Sequence, residues 1–188
     1  MPRLSDTIRA DHQELQSYYD QIVQAEDEDE QTRWQNMLTW ELARHVVGEE
    51  LVLYPALKKH LNENAAEDHQ QHQLINEKLA VFQNLKATDP RFIPTMAILM
   101  DDLAAHVNHE ERVDLTKLET AISEEESNRR AVSFNRTKNF VPTRAHPSAP
   151  DRPPYQTAVG LITAPLDYLQ DLFRKWPGSE CTPNAPAE

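Results

Sequence analysis

The residues able to do chemistry fall in a pattern that occurs twice. Residues 42–52 and 103–113 share Leu42/Leu103, Ala43/Ala104, His45/His106, Val46/Val107, Glu49/Glu110, Glu50/Glu111 and Val52/Val113. Each copy follows an Asp-His-Gln: Asp11-His12-Gln13 places its histidine 33 residues before His45 (45 − 12), and Asp68-His69-Gln70 places its own 37 before His106 (106 − 69). A Glu four residues after a His lies about 40° round a helix and one turn along it, so His45/Glu49 and His106/Glu110 are two-ligand clips. Two clips facing each other, joined by His12 and His69 from two further helices, bring four imidazoles and two carboxylates to one layer. Imidazole suits Fe, Zn, Cu and Ni, and bridging carboxylates suit two metals about 3.5–4 Å apart. Singly, each histidine reads better as a core histidine and each His-xxx-Glu as a surface pair than as metal ligands. Jointly, burying all six without a cation would strand charge and polar atoms in the interior, so the set predicts metal ligands: His12, His45, Glu49, His69, His106 and Glu110.

Other titratable residues are placed by the same repeat. His72 stands where Leu15 stands in the first half, which makes it a core or near-site residue. His109 is roughly 300° round the helix from His106, and Glu50 and Glu111 lie about 100° beyond the clip carboxylates; all three are expected in solvent. Tyr54 is about 180° from His45 by ideal geometry, an angle that Pro55 disturbs, and is kept as an outer hydrogen-bond donor. His60 and His146 receive no function.

Four amphipathic segments must carry these groups. The first runs from Ser5, a good N-cap, to about Ala25, with Leu4, Ile8, His12, Leu15, Tyr19 and Ile22 on one stripe. Glu26 to Glu30, five adjacent acids, read as a solvated connector. A second helix spans about 31–60, with Gly48 weakening it and Pro55 kinking it. The third spans 64–86, with His69, His72, Ile75, Leu79 and Phe82 at helical spacing, and Thr88-Asp89-Pro90 ends it. The fourth runs from Ile93 or Pro94 past Ile122 and fades near Phe134. Short links predict an all-α fold, an antiparallel up-down four-helix bundle over 1–135, whose interior is the usual place for a metal. Nine of the thirteen prolines fall from Pro142 onward, so 136–188 forms a Pro-rich strap, extended over 141–155, followed by short amphipathic helices over 157–175 around Pro165. The stripe Val159, Ile162, Leu166, Leu169 and Phe173 is expected to pack on the bundle, with a lid, a dimer contact or a membrane-surface contact as alternatives.

Composition narrows the function classes. With 19 Lys and Arg against 31 Asp and Glu, the net charge of −12 repels phosphate backbones and anionic lipid, so nucleic acid is not an expected partner. Three glycines in 188 residues disfavour phosphate loops and tight hairpins. The single cysteine, Cys181, gives no disulfide or thiolate cluster. No apolar run is long enough for stable membrane insertion, and Met1-Pro2-Arg3-Leu4 opens no signal core, so a soluble, cytoplasmic chain is expected.

The ordered set Asp11-His12, His45-xxx-Glu49, Asp68-His69 and His106-xxx-Glu110 resembles the hemerythrin-like HHE cation-binding family over roughly residues 5 to 125. The resemblance implies a four-helix bundle with two non-heme irons, carboxylate-bridged, held by those six residues. Residues 141–147 and 160–165 look like the C-terminal extension of a fungal branch. Oxygen-carrying members place a second histidine one turn after the first on the third helix, where this chain has Gln73. Four His and two bridging Glu fill about eight of the twelve positions of two octahedral irons, and the open positions suit substrate access more than reversible O₂ carriage. The expected activity is reaction with O₂ or peroxide, as an oxidase or oxygenase of a small molecule; the alternative is a non-catalytic iron- or O₂-binding or sensing module.

Overall fold

The computed structural model describes residues 1–62, 66–146 and 155–178, and the side chains of these except 66–68 and 155–162. The side chains of Asp68, Val159 and Ile162, together with Cys181 and the prolines between 147 and 154, lie outside the described part of the chain. All regular structure among the described residues is helical: α1 Leu4–Gln24, α2 Glu28–Gly48, α3 Tyr54–Leu61, α4 Ala66–Phe82, α5 Phe92–His109, α6 Leu115–Ala121, α7 Glu124–Thr137 and α8 Tyr155–Asp171.

Two antiparallel hairpins make the bundle. In α1/α2, Tyr18 stacks on Trp34 at 5.8 Å and His12 meets His45 edge-on at 4.9 Å, so one chain rises as the other falls. In α4/α5, Phe82 meets Phe92 at 5.1 Å and His72 meets His106 at 4.6 Å in the same sense. The acidic run is a solvated connector only at Glu26 and Asp27: Asp27 accepts the Glu30 amide at 2.8 Å, and Glu28, Asp29 and Glu30 form the first turn of α2. Carboxylates there oppose the positive end of the helix dipole, which offsets their mutual repulsion.

The long second and fourth helices each carry one π-helical turn, at equivalent places. A π-helical turn over Glu49–Leu53 joins α2 to α3, and another over Glu110–Asp114 joins α5 to α6. Pro55 therefore sits in the first turn of a new helix, where its missing N–H costs nothing. The proline is not the cause, because the second turn forms without one; there the Thr116 hydroxyl donates to the Glu111 carbonyl at 3.1 Å.

The fourth helix does not fade out near Phe134. It breaks at extended Ile122, and Ser123 caps a separate α7 by accepting the Glu126 amide. α7 folds back so that Ser127 Oγ accepts the Leu4 amide at 2.9 Å, capping α1. Phe134, fully buried, comes so close to Gly48 that a Cβ there would lie 2.9 Å from the ring.

Apolar side chains form two layers. One holds Leu15, Leu38, Leu42, Ile75, Leu99 and Leu103, and the other Ile8, Val52, Leu53, Leu115, Leu118 and Phe134. The strap docks beside the first: Gln83 both donates to the Ala145 carbonyl and accepts its amide, each at 3.0 Å, and Thr143 donates to Asp171 at 2.7 Å. α8 turns Ala164, Asp167 and Asp171 inward, while Leu166, Leu169 and Phe173 face out, Phe173 85 % exposed. Thr143 and His146 of the strap bond to the inward acids, and the described part of the apolar stripe faces away from the bundle rather than covering it.

Candidate metal centre

Between the two apolar layers lies a polar one. His12 follows Ile8 and precedes Leu15 on α1, and His45 follows Leu42 on α2; His106 follows Leu103 on α5, and His72 precedes Ile75 on α4. Glu49 and Glu110 open the two π-helical turns. All six side chains are buried, His45, Glu49 and His72 completely.

The six converge through their ring Nε2 and carboxylate oxygens. Glu49 Oε1 is 2.9 Å from His45 Nε2 and 3.7 Å from His12 Nε2. Its other oxygen, Oε2, is 3.1 Å from His72 Nε2 and 3.7 Å from His106 Nε2. One carboxylate thus faces a histidine pair with each oxygen, while Glu110 Oε2 approaches His12 Nε2 at 3.3 Å.

The opposite ring nitrogens are held from outside. His12 Nδ1 is 2.8 Å from Glu111 Oε1, His45 Nδ1 3.3 Å from Asp11 Oδ2 and His106 Nδ1 2.9 Å from Gln71 Oε1. His72 Nδ1 lies 3.4 Å from Glu50 Oε1. Each acceptor fixes a ring with Nδ1–H outward and Nε2 inward, the arrangement that raises imidazole basicity toward a metal. Glu50 and Glu111, expected in solvent, are brought back as these outer partners, each clasping a histidine of the other hairpin.

Without an ion, only ring protons could answer the two buried carboxylates. His12 Nε2, His45 Nε2 and both carboxylate oxygens of Glu49 and of Glu110 are buried with no hydrogen-bond partner. Burial alone would depress His12, but the Glu110 and Glu49 carboxylates outweigh it and push its pKa up to about 11. His72 is likewise pushed up to about 10, against burial, by Glu49 and Glu50. Burial works to raise Glu49, yet His45 and its neighbours hold it well below the usual range, while burial and the Glu49 charge raise Glu110. Six orphaned ligand atoms at one point fit a positive ion, and the all-N/O donor set fits a borderline divalent one.

Five of the six sequence candidates meet here: His12, His45, Glu49, His106 and Glu110. His69 stands apart, its side chain 41 % exposed, with Nδ1 3.9 Å from Glu50 Oε1. His72 stands in the centre instead, and Tyr54 reaches it, hydroxyl to Nε2, at 2.8 Å.

Matching this geometry, the hemerythrin HHE cation-binding domain model covers residues 3–118. The chain belongs to this family. The match takes in α1 to α5, the start of α6 and both clips, and α7, the strap and α8 lie beyond it. A fission yeast (Schizosaccharomyces pombe) protein described as an uncharacterized hemerythrin-like protein is 51 % identical over 181 residues, covering 94 % of this chain and 89 % of its own. A Nostoc protein described as a DNA nickase is 24 % identical over 144 residues, covering 75 % of this chain but 40 % of its own. The crystal structure of an HHE cation-binding domain-containing protein from Mycobacterium kansasii superposes with a TM-score of 0.62 at 20 % identity, covering 74 % of this chain and 89 % of that one, a likeness of fold. Among the described residues no helix of this HHE protein is long and apolar enough to cross a membrane.

Proposed function

We propose that this HHE domain is a non-heme di-iron protein whose reduced metal pair reacts with O₂ or peroxide. The observation that carries the two-metal reading is Glu49, whose two oxygens address separate histidine pairs. His12 and His45 would hold one ion and His72 and His106 the other, with Glu49 spanning them and Glu110 adding the second carboxylate. His72 thus takes the role that the Asp-His-Gln repeat assigns to His69. Two ferrous ions in such a site supply two electrons side by side, which is the chemistry for reducing O₂ or peroxide.

The chain's own residues would do the rest. Asp11, Gln71, Glu50 and Glu111 keep the rings turned inward. A groove of about 450 Å³ between α1 and α5, lined by His12, Met100, Leu103, Val107 and Glu111, leads from the surface to the layer and admits small molecules. The buried Tyr54 hydroxyl beside His72 is a proton source at the far side. A sensing role without turnover is favoured by one contact, the reach of Lys138, at the end of α7, to Asp11 behind His45.

Elemental analysis tests the metal reading: protein reconstituted anaerobically with Fe(II) should hold about two irons per chain, and Glu49→Gln should hold at most one. Protein that refuses iron overturns it. Peroxide or O₂ consumption by the loaded protein, lost in His45→Ala, separates the enzyme from the sensor.

A further inference from the structure

The outer partners of the four histidines differ in charge between the two halves at one place. His106 Nδ1–H donates to Gln71, a neutral amide, whereas His45 Nδ1–H donates to Asp11, a carboxylate 7 % exposed. Asp11 also shares its surroundings with Glu14 and Glu41, and the three bring carboxylate oxygens within 4.8 Å of one another. A buried carboxylate among other acids holds its charge only if a cation is fixed beside it.

That cation is Lys138. It caps α7, beyond residue 118, where the family match ends, and is buried with its ammonium bonded to both Asp11 and Glu41. The ammonium also lies over the Phe134 ring, 5.6 Å from its centroid. The Lys138 carbonyl is held in turn by Arg44 at 3.4 Å and by the Tyr168 hydroxyl of α8 at 3.5 Å. Arg44 pairs with Glu41 and lies over the Trp40 ring, which Trp176 meets edge-on at 6.4 Å. The half built on Gln71 has a neutral acceptor and needs no such support.

We propose that Lys138 is a positioning residue for the His12/His45 half of the metal centre, through which the C-terminal segment sets how firmly that half, and not the other, retains its ion. Lys138 fixes Asp11, Asp11 fixes the His45 ring, and the ring aims Nε2 at the ion. Without the ammonium, Asp11 is no longer held against His45 and turns toward water, and the His45 ring loses its outer partner. The inference rests on the two-metal reading above.

The test follows release of zinc, a redox-silent probe, from the full chain to a chelator in excess. Wild type should release two zinc ions slowly. In Lys138→Met one of the two should leave at least about tenfold faster while the other keeps its wild-type rate, since loss of an outer partner costs about 10–100-fold in metal affinity. Lys138→Arg should restore slow release. In an Asp11→Asn background, where the acceptor is neutral as Gln71 is, Lys138→Met should change nothing, a comparison that stands even if the single Lys138→Met chain fails to fold. Wild-type release in folded Lys138→Met, equal acceleration of both ions, or an added effect of Lys138→Met on Asp11→Asn would overturn the role of Lys138. A wild-type chain that binds no zinc would overturn the two-metal reading instead.

Discussion

At the scale of residues, the position that decides the second half of the centre is His72. The identity of Asp11-His12-Gln13 with Asp68-His69-Gln70 pairs His12 with His69. The apolar stripes give another register, because His12, Leu15, Tyr19 and Ile22 match His72, Ile75, Leu79 and Phe82 at a constant offset of 60 (72 − 12), beside 61 for the clips (106 − 45). Packing follows the stripe rather than the letters, since a helix turned to bury Ile75, Leu79 and Phe82 carries His72 inward with them. The same register puts Gln71 where Asp11 stands. His72→Ala should therefore lose one of two bound metals, while His69→Ala keeps both, as read by metal content after gel filtration. Glu111→Gln keeps an acceptor for His12 without its charge, and its effect on metal affinity should stay within about 10-fold.

At the scale of elements, the two π-helical turns do what regular helices could not. A continuous α-helix carrying His45 and Glu49 inward would point Tyr54 about 180° away. The wider turn over Glu49–Leu53 takes up part of that rotation, so that Tyr54 returns to the site and Val52 and Leu53 enter the apolar layer below α7. Gly48, the last residue of α2, has no room for a side chain, because Phe134 fills the space it would take. Gly48→Ala should then destabilise the fold by about 1–3 kcal/mol, despite alanine's better helix propensity, through overpacking against a fixed ring. Thermal unfolding would show it, and Phe134→Leu in the same chain should recover part of the loss.

At the scale of the whole molecule, a polar layer between two apolar ones costs stability that an ion would return. The orphaned atoms of Glu49, Glu110, His12 and His45 would gain partners from a cation seated among them. Free metal at about 1,000 times Kd should stabilise the native state by about 4 kcal/mol, a rise in Tm of roughly 8–16 °C for a chain of this size. Differential scanning calorimetry with and without chelator measures it, and an unchanged Tm would separate the buried cluster from metal binding. The C-terminal segment belongs to this scale, since Ala145, Thr143, Tyr168 and Trp176 tie the strap and α8 to the bundle while Leu166 and Leu169 on the outer face of α8, and Phe173 just past its end, stay in solvent.

The sequence by itself determined the helical class, the twofold repeat and the two clips, because a spacing of four on a helix sets geometry without reference to anything distant. The scarcity of glycine and the single cysteine closed off phosphate loops and thiolate sites on the same local grounds. Only the tertiary structure decided that His72 rather than His69 meets Glu49, that Glu50 and Glu111 serve as outer partners across the hairpins, and that Lys138 stands behind Asp11. Each of these depends on how far one helix rotates against another, and that rotation is set by the summed packing of side chains such as Phe82, Phe134 and Ile75, which no local spacing encodes.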